Sequence, residues 1–175
     1  MKKKGLTVFE IALFGVLGAI MFVSKMLMEV LPNIHLLGTL IVAYTVVFRW
    51  KALIPLYTYV MLDGLFHGFA GWWIPYLYIW VLLWAAVMLL PRRMKPPVAA
   101  VVYCVVSAAH GFLFGLLYAP ASVVLYFNGN FDLLWGWWIA GLPYDLIHGV
   151  SNLLCGVLII PLIALLGNAK KLAER

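Results

Sequence analysis

Charge is what this chain has least of. Only 10% of its 175 residues are Asp, Glu, Lys or Arg, while 66% are hydrophobic; a soluble domain carries about 25% charged residues. That shortage excludes an ordinary water-soluble domain and implies an integral membrane protein. Cysteine is also scarce. Cys104 and Cys155 both fall inside apolar runs, which excludes a disulfide framework or a metal knuckle and reads as small packing residues. The sequence has no Gly-x-Ser-x-Gly elbow, no Gly-rich loop ending in Lys-Ser/Thr and no His-Glu-x-x-His pair, so no nucleophile, nucleotide or zinc-protease signature is present. No metal or other cofactor is expected. Repeats, low-complexity stretches and heptad seams are missing as well.

What the chain does have is long apolar runs. Punctuated by Pro, Gly and charge clusters, they fall at about 7–31, 34–48, 52–69, 74–90, 97–118 and 143–166, each near the roughly 20 residues that cross a bilayer. The expectation is an all-α single membrane domain over 1–175 with six transmembrane helices. The second run is short, so it is either buried among the others or extended by its flanks. The first follows Met1-Lys2-Lys3-Lys4 and lacks a small-residue cleavage site, so it reads as a mature helix.

The formal net charge of +6 is distributed with a strong bias. Placing the N-terminus inside puts Lys2, Lys3, Lys4, Arg49, Lys51, Arg92, Arg93, Lys95, Lys170, Lys171 and Arg175 on the cytoplasmic side and leaves only Lys25 elsewhere. Positive residues mark cytoplasmic loops, so the expected topology is N-in, C-in. The same distribution, split over four short segments without an aromatic-lined groove, excludes a nucleic-acid surface.

The outer side is aromatic and polar: Leu31-Pro32-Asn33-Ile34-His35, then Ala70-Gly71-Trp72-Trp73, then a stretch from Ala119 to Leu142 carrying Asn128-Gly129-Asn130, Asp132 and Trp135-Gly136-Trp137-Trp138. Tryptophans collect at interfaces as belts whatever the function. A connection as long as the last one reads as a functional lid.

Charged residues at bilayer depth cost about 2.5–3.5 kcal/mol each on insertion scales and face a partner or a cavity. Lys25 and Glu29, four apart, are expected to pair. Asp63 and His67 repeat that spacing on the third helix. Asp145, His148 and Asn152 form a stripe on the last. Three stripes at one depth predict a water-accessible outer pocket. Tyr76, Trp80 and Trp84 add an aromatic face on the fourth helix, and His110 sits on the fifth as a core histidine or a ligand contact. On the first helix, Ala12, Gly15, Gly18 and Ala19 let another helix approach closely, within this bundle or from a partner.

The basic N-terminus leading into that small-residue helix, the Leu31-Pro32-Asn33 loop, and the ending Gly141-Leu142-Pro143-Tyr144-Asp145-Leu146-Ile147-His148-Gly149-Val150-Ser151-Asn152 together resemble the substrate-binding (S) components of energy-coupling factor transporters. The similarity covers essentially the whole chain. The resemblance implies a multi-pass protein of the bacterial cell membrane that captures a vitamin or related micronutrient from outside. It implies docking on a transmembrane coupling (T) subunit with two ATP-binding subunits, and delivery by toppling in the membrane. The family's Ala-x-x-x-Ala coupling pattern has its nearest match here in Gly15-x-x-x-Ala19, which makes Ala12, Gly15, Gly18 and Ala19 the expected coupling interface. The family's pocket, formed by outer loops and the last three helices, gives the expected substrate-binding set: Asn33, His35, Asp63, His67, Tyr76, Trp80, Trp84, His110, Trp138, Tyr144, Asp145, His148 and Asn152. Nickel and cobalt members open Met-His and this chain opens Met1-Lys2, so a metal substrate is not expected. The aromatic content suits a flat heteroaromatic ring, neutral or cationic. Three other classes compete with capture, one of them a purely structural or assembly subunit whose outer half would be closed by its Trp residues with no ordered cavity. A small membrane enzyme acting on lipid or isoprenoid groups would converge Asp63, His67, Asp145 and His148 at a headgroup, and a proton-coupled carrier would use Asp63 or Lys25 as a relay.

Overall fold

The computed structural model describes residues 5–173; Lys2, Lys3, Lys4 and Arg175, part of the charge bias above, lie outside them. Among the described residues every regular element is helical. Five stretches are long and apolar enough to cross a membrane: Val8–Leu27, Leu37–His67, Gly71–Leu89, Pro96–Tyr126 and Phe131–Leu172.

Helix α1 (Val8–Leu27) begins with a reciprocal cap, in which Thr7 Oγ1 accepts the Glu10 N–H and Glu10 accepts the Thr7 N–H, satisfying two otherwise free donors. The 31-residue stretch Leu37–His67 divides into α2 (Leu37–Phe48) and α3 (Leu53–His67). Between them lies a short 3-10 turn that opens at Arg49 with φ +55°. Contacts with α1 show that the chain reverses there. Phe14 meets Phe48 and the Tyr44 hydroxyl reaches the Leu17 carbonyl, so α2 runs against α1. Glu10 pairs with Lys51, Gly18 abuts Thr58 and Lys25 pairs with Asp63, so α3 runs with it. Arg49 secures the reversal, its guanidinium donating to the Met88 carbonyl and its own carbonyl accepting the Trp84 indole.

Of the two readings open for the second apolar run, the buried one holds. Eleven of the twelve residues of α2 are buried, and at about 1.5 Å per residue the helix is only about 18 Å long. The connection before it carries His35 into the bundle, against Trp80 and His148.

Helix α4 (Tyr76–Leu89) packs against α2 and α3. Helices α5 (Pro96–Phe112) and α6 (Phe114–Tyr126) are separated only by Leu113, and α7 (Leu134–Cys155) passes through a 3-10 turn into α8 (Ile159–Ala173). The long outer loop expected over 119–142 is therefore not a loop. The chain turns only around Asn128 and Gly129, both with positive φ, and Pro120 and Pro143 lie within helices. Proline removes one backbone bond, a loss that packing against neighbouring helices offsets in membrane proteins; here α6 packs on α7, with Tyr118 stacked on Trp137.

Helices α5 and α7 cross on glycine. A Cβ on Gly111 would stand 2.8 Å from the Gly149 Cα, an approach that only paired glycines permit. Cys104 packs at the next contact along, beside Gly156, and both cysteines are free thiols.

Candidate functional site

Two polar clusters form where the sequence places its intramembrane stripes. The first joins α1 to α3. Asp63 is fully buried and accepts from Lys25 Nζ at 2.7 Å. His67 Nδ1 lies 3.0 Å from the same carboxylate oxygen, and His67 Nε2 lies 3.5 Å from Glu29. The Lys25 ammonium also sits 5.8 Å from the Trp72 ring, within cation–π range. The expected Lys25–Glu29 pair is thus replaced by a chain Lys25–Asp63–His67–Glu29. The reason is local: α1 ends at Leu27, so residues 25 and 29 no longer stand one helical turn apart. The i, i+4 spacing of Asp63 and His67 survives because α3 runs through both.

The second cluster is a knot of rings drawn from six segments. At its centre Trp80 is fully buried, with ring centroids of Tyr76 at 5.5 Å, Phe114 at 5.4 Å, His110 at 5.7 Å, His35 at 5.9 Å and Tyr59 at 6.3 Å. His148 lies 4.5 Å from His35 and 4.7 Å from Phe114. These edge-on and tilted arrangements are the favoured ones for aromatic rings.

The polar atoms of this knot set it apart from a plain core. His110 Nε2 donates to the Ile79 carbonyl at 3.0 Å, which in the neutral ring leaves Nδ1 as an acceptor. That Nδ1, His35 Nδ1, His148 Nε2 and the Trp80 indole N–H are buried without a hydrogen-bond partner in the protein. Just beyond them, Asn152 donates to the Ser107 carbonyl at 3.0 Å while its Oδ1, Thr39 Oγ1, Ser107 Oγ and Ser151 Oγ are unsatisfied too. Buried polar groups are nearly always satisfied in native structures, and each one left over costs about 1–3 kcal/mol. So many together, facing aromatic rings, mark this cluster as the candidate site.

Above the knot a cavity of about 380 Å³ opens between α6 and α7, lined by Asn33, Phe114, Gly115, Tyr118, Trp137, Ala140, Gly141, Tyr144 and Asp145. Asp145 accepts the Gly115 N–H at 2.8 Å and the Trp138 indole N–H at 3.2 Å.

The expected site residues are therefore distributed as follows. His35, Tyr76, Trp80, His110 and His148 meet in the knot and Asn152 borders it. Asn33, Tyr144 and Asp145 line the cavity, with Trp138 holding Asp145. Asp63 and His67 belong to the α1–α3 chain. Trp84 departs from the set: its indole is bonded to the Arg49 carbonyl and its ring packs on Trp50, because one further helical turn carries it to the end of α4 beside the α2–α3 reversal. On α1, Ala12, Gly15 and Ala19 face outward, but Gly18 is buried against Thr58 and the Pro55 carbonyl, so its small size serves the contact with α3.

Sequence reasoning missed Phe114, Tyr118 and Tyr59. A signal existed for each, since His110, Phe114 and Tyr118 are spaced by four, as are Tyr59 and Asp63. Among the described residues no three His, Cys, Asp or Glu side chains gather in a way that could hold a metal. Comparison with family models, with curated proteins and with solved structures returned no match.

Proposed function

We propose that this chain is the substrate-capture subunit of an energy-coupling factor importer. In this reading it is a six-span, N-in, C-in protein of the bacterial cell membrane that binds a vitamin-like heteroaromatic compound from outside. The observation that carries the proposal is the ring knot: four unsatisfied nitrogens on Trp80, His35, His110 and His148 beneath a cavity of about 380 Å³, a combination suited to a flat ring with polar edges. Six crossings follow if α2 and α3 count separately, as the reversal at Arg49 supports. Lys51 and Lys170 then share an end with Glu10, and the cavity opens at the opposite end. Energy would come from a T subunit with two ATP-binding subunits. The outward-facing Ala12, Gly15 and Ala19 supply a face on which such a subunit could pack.

Native mass spectrometry of protein purified in mild detergent from rich medium tests capture directly. A heterocyclic compound should be retained, and His148→Ala or Trp80→Ala should weaken its binding by about tenfold, since each ring contact is worth about 0.5–1.5 kcal/mol. A protein that carries no compound, with uptake indifferent to both substitutions, overturns the reading. Gly15→Leu separates capture from coupling. A Cβ there meets nothing within 4 Å, so binding should be intact while transport is lost; unchanged uptake would remove α1 from the coupling interface. The chain Lys25–Asp63–His67–Glu29 is the one observation that favours a proton-coupled carrier instead, a reading that requires uptake to survive ATP depletion and fail when the proton gradient collapses.

A further inference from the structure

The outer cavity has a chemical bias of its own. Its one charged lining group is Asp145, whose residue is only 5% exposed. The two groups that donate to its carboxylate, the Gly115 backbone N–H and the Trp138 indole N–H, are both neutral. Among the described residues no Lys, Arg or His makes an ion pair with it; the outer lysine, Lys25, is committed to Asp63. A carboxylate has about four acceptor positions, so two donors leave it able to accept more. Gly115 keeps the group in place, since a Cβ there would stand 2.6 Å from Asp145 Oδ2.

Of the other eight lining residues four are aromatic, beside Asn33, Gly115, Ala140 and Gly141. Tyr118 and Trp137 stack at 6.0 Å with only 8° between their planes, and Phe114 and Tyr144 complete the ring-rich lining. A buried anion among aromatic faces is a poor seat for an anion, and with a neutral guest it keeps a desolvated charge uncompensated. A cation satisfies both features at once, by charge at the carboxylate and by the quadrupoles of the rings. The volume, about 380 Å³, lies at the small end of ligand sites. Phe114 connects the cavity to the knot, lining one and lying 4.7 Å from His148 in the other.

We propose that Asp145, with Tyr118, Trp137 and Tyr144, seats a positively charged nitrogen of the ligand, a quaternary or protonated heteroaromatic nitrogen, while the ring knot receives its uncharged polar part. This rests on the reading that the chain captures a heteroaromatic compound, and it adds the charge of that compound and the residue that selects it.

The test uses the full chain in nanodiscs, titrated calorimetrically at pH 8 with N-methylquinolinium and, as its uncharged counterpart, quinoline. The cation should bind about tenfold or more tightly than quinoline. Asp145→Asn should reduce that preference to less than about twofold, by weakening the cation and sparing quinoline. Trp137→Leu, which leaves the carboxylate and its two donors in place, should weaken the cation severalfold and serves as the deciding variant if Asp145→Asn loses its helical fold. Equal affinities in the unmodified protein, a preference that survives Asp145→Asn in folded protein, or a cation affinity unchanged by Trp137→Leu, overturn the proposal. The two readings fail separately. A neutral or anionic compound retained from cells through Trp80 and His148 would refute the cation seat alone, whereas a protein that retains no compound and binds neither probe would refute capture as well.

Discussion

Asp63→Ala is expected to destabilise the protein by about 3–5 kcal/mol, the loss typical when one member of a buried ion pair is removed and the other stays behind. The remaining charge is Lys25, whose side chain is 19% exposed and which in the native state has the Asp63 carboxylate at 2.7 Å. Removing the lysine instead should cost less, about 1.5–3 kcal/mol for a hydrogen bond to a charged group, because His67 remains 3.0 Å from Asp63. The double substitution Lys25→Met with Asp63→Ala should recover part of the loss, since no uncompensated charge is then left behind. Reversible unfolding of the three variants in mixed micelles, read as a double-mutant cycle, checks this. Strictly additive losses would show that the two residues are not coupled and that the link between these ends of α1 and α3 lies elsewhere.

Gly111→Leu carries the other large effect, because the atoms it meets cannot move cheaply. Even a methyl at this position would lie 2.8 Å from the Gly149 Cα and 2.9 Å from the Gly149 nitrogen, both backbone, and 2.9 Å from Asn152 Nδ2. Overpacking by one or two methylenes costs about 1–3 kcal/mol in a filled core, so Gly111→Ala should already lower thermal stability measurably. The leucine must push α5 and α7 apart. Separation of these helices would break the Asn152–Ser107 bond and displace His110 from His148, so ligand retention should fall together with the melting temperature. Gly15→Leu is the internal control, an equally large change made where no atom stands in the way. A Gly111→Leu protein that melts like the unmodified one would mean that the α5–α7 crossing relaxes freely and that the close approach is incidental.

How far the sequence carried these conclusions differs from element to element. Where a helix continues through the residues concerned, spacing translated directly into neighbours. Asp63 and His67 meet, and Asp145, His148 and Asn152 are all buried on α7. Where the chain departs from a helix, spacing misled. Lys25 and Glu29 fail to pair because α1 stops between them, and the segment 119–142, read as a long outer loop carrying Asn128-Gly129-Asn130 and Asp132, is mostly helix, with packed neighbours offsetting the backbone bond lost at Pro120. Small residues were ambiguous for a different reason. Gly15 and Gly18 look alike in sequence, yet one faces outward and the other abuts Thr58, a distinction made by which face of α1 meets α3.

By itself the sequence determined long apolar runs of the length and composition that cross a membrane as helices, because so few charges cannot solvate a fold of this size and so many apolar runs call for a nonaqueous surface. It also singled out most of the intramembrane polar residues, since burying such groups is costly enough to make their presence informative. Only the tertiary structure decided their company: that Lys25 answers Asp63, that Trp84 belongs to the opposite end from the cavity, and that Trp80 meets His35 and His110 from two other segments, with His148 beside His35. Those assignments depend on helix direction, on the reversal at Arg49 and on the glycine crossing of α5 with α7. These are contacts between residues distant in the chain, which local spacing does not encode.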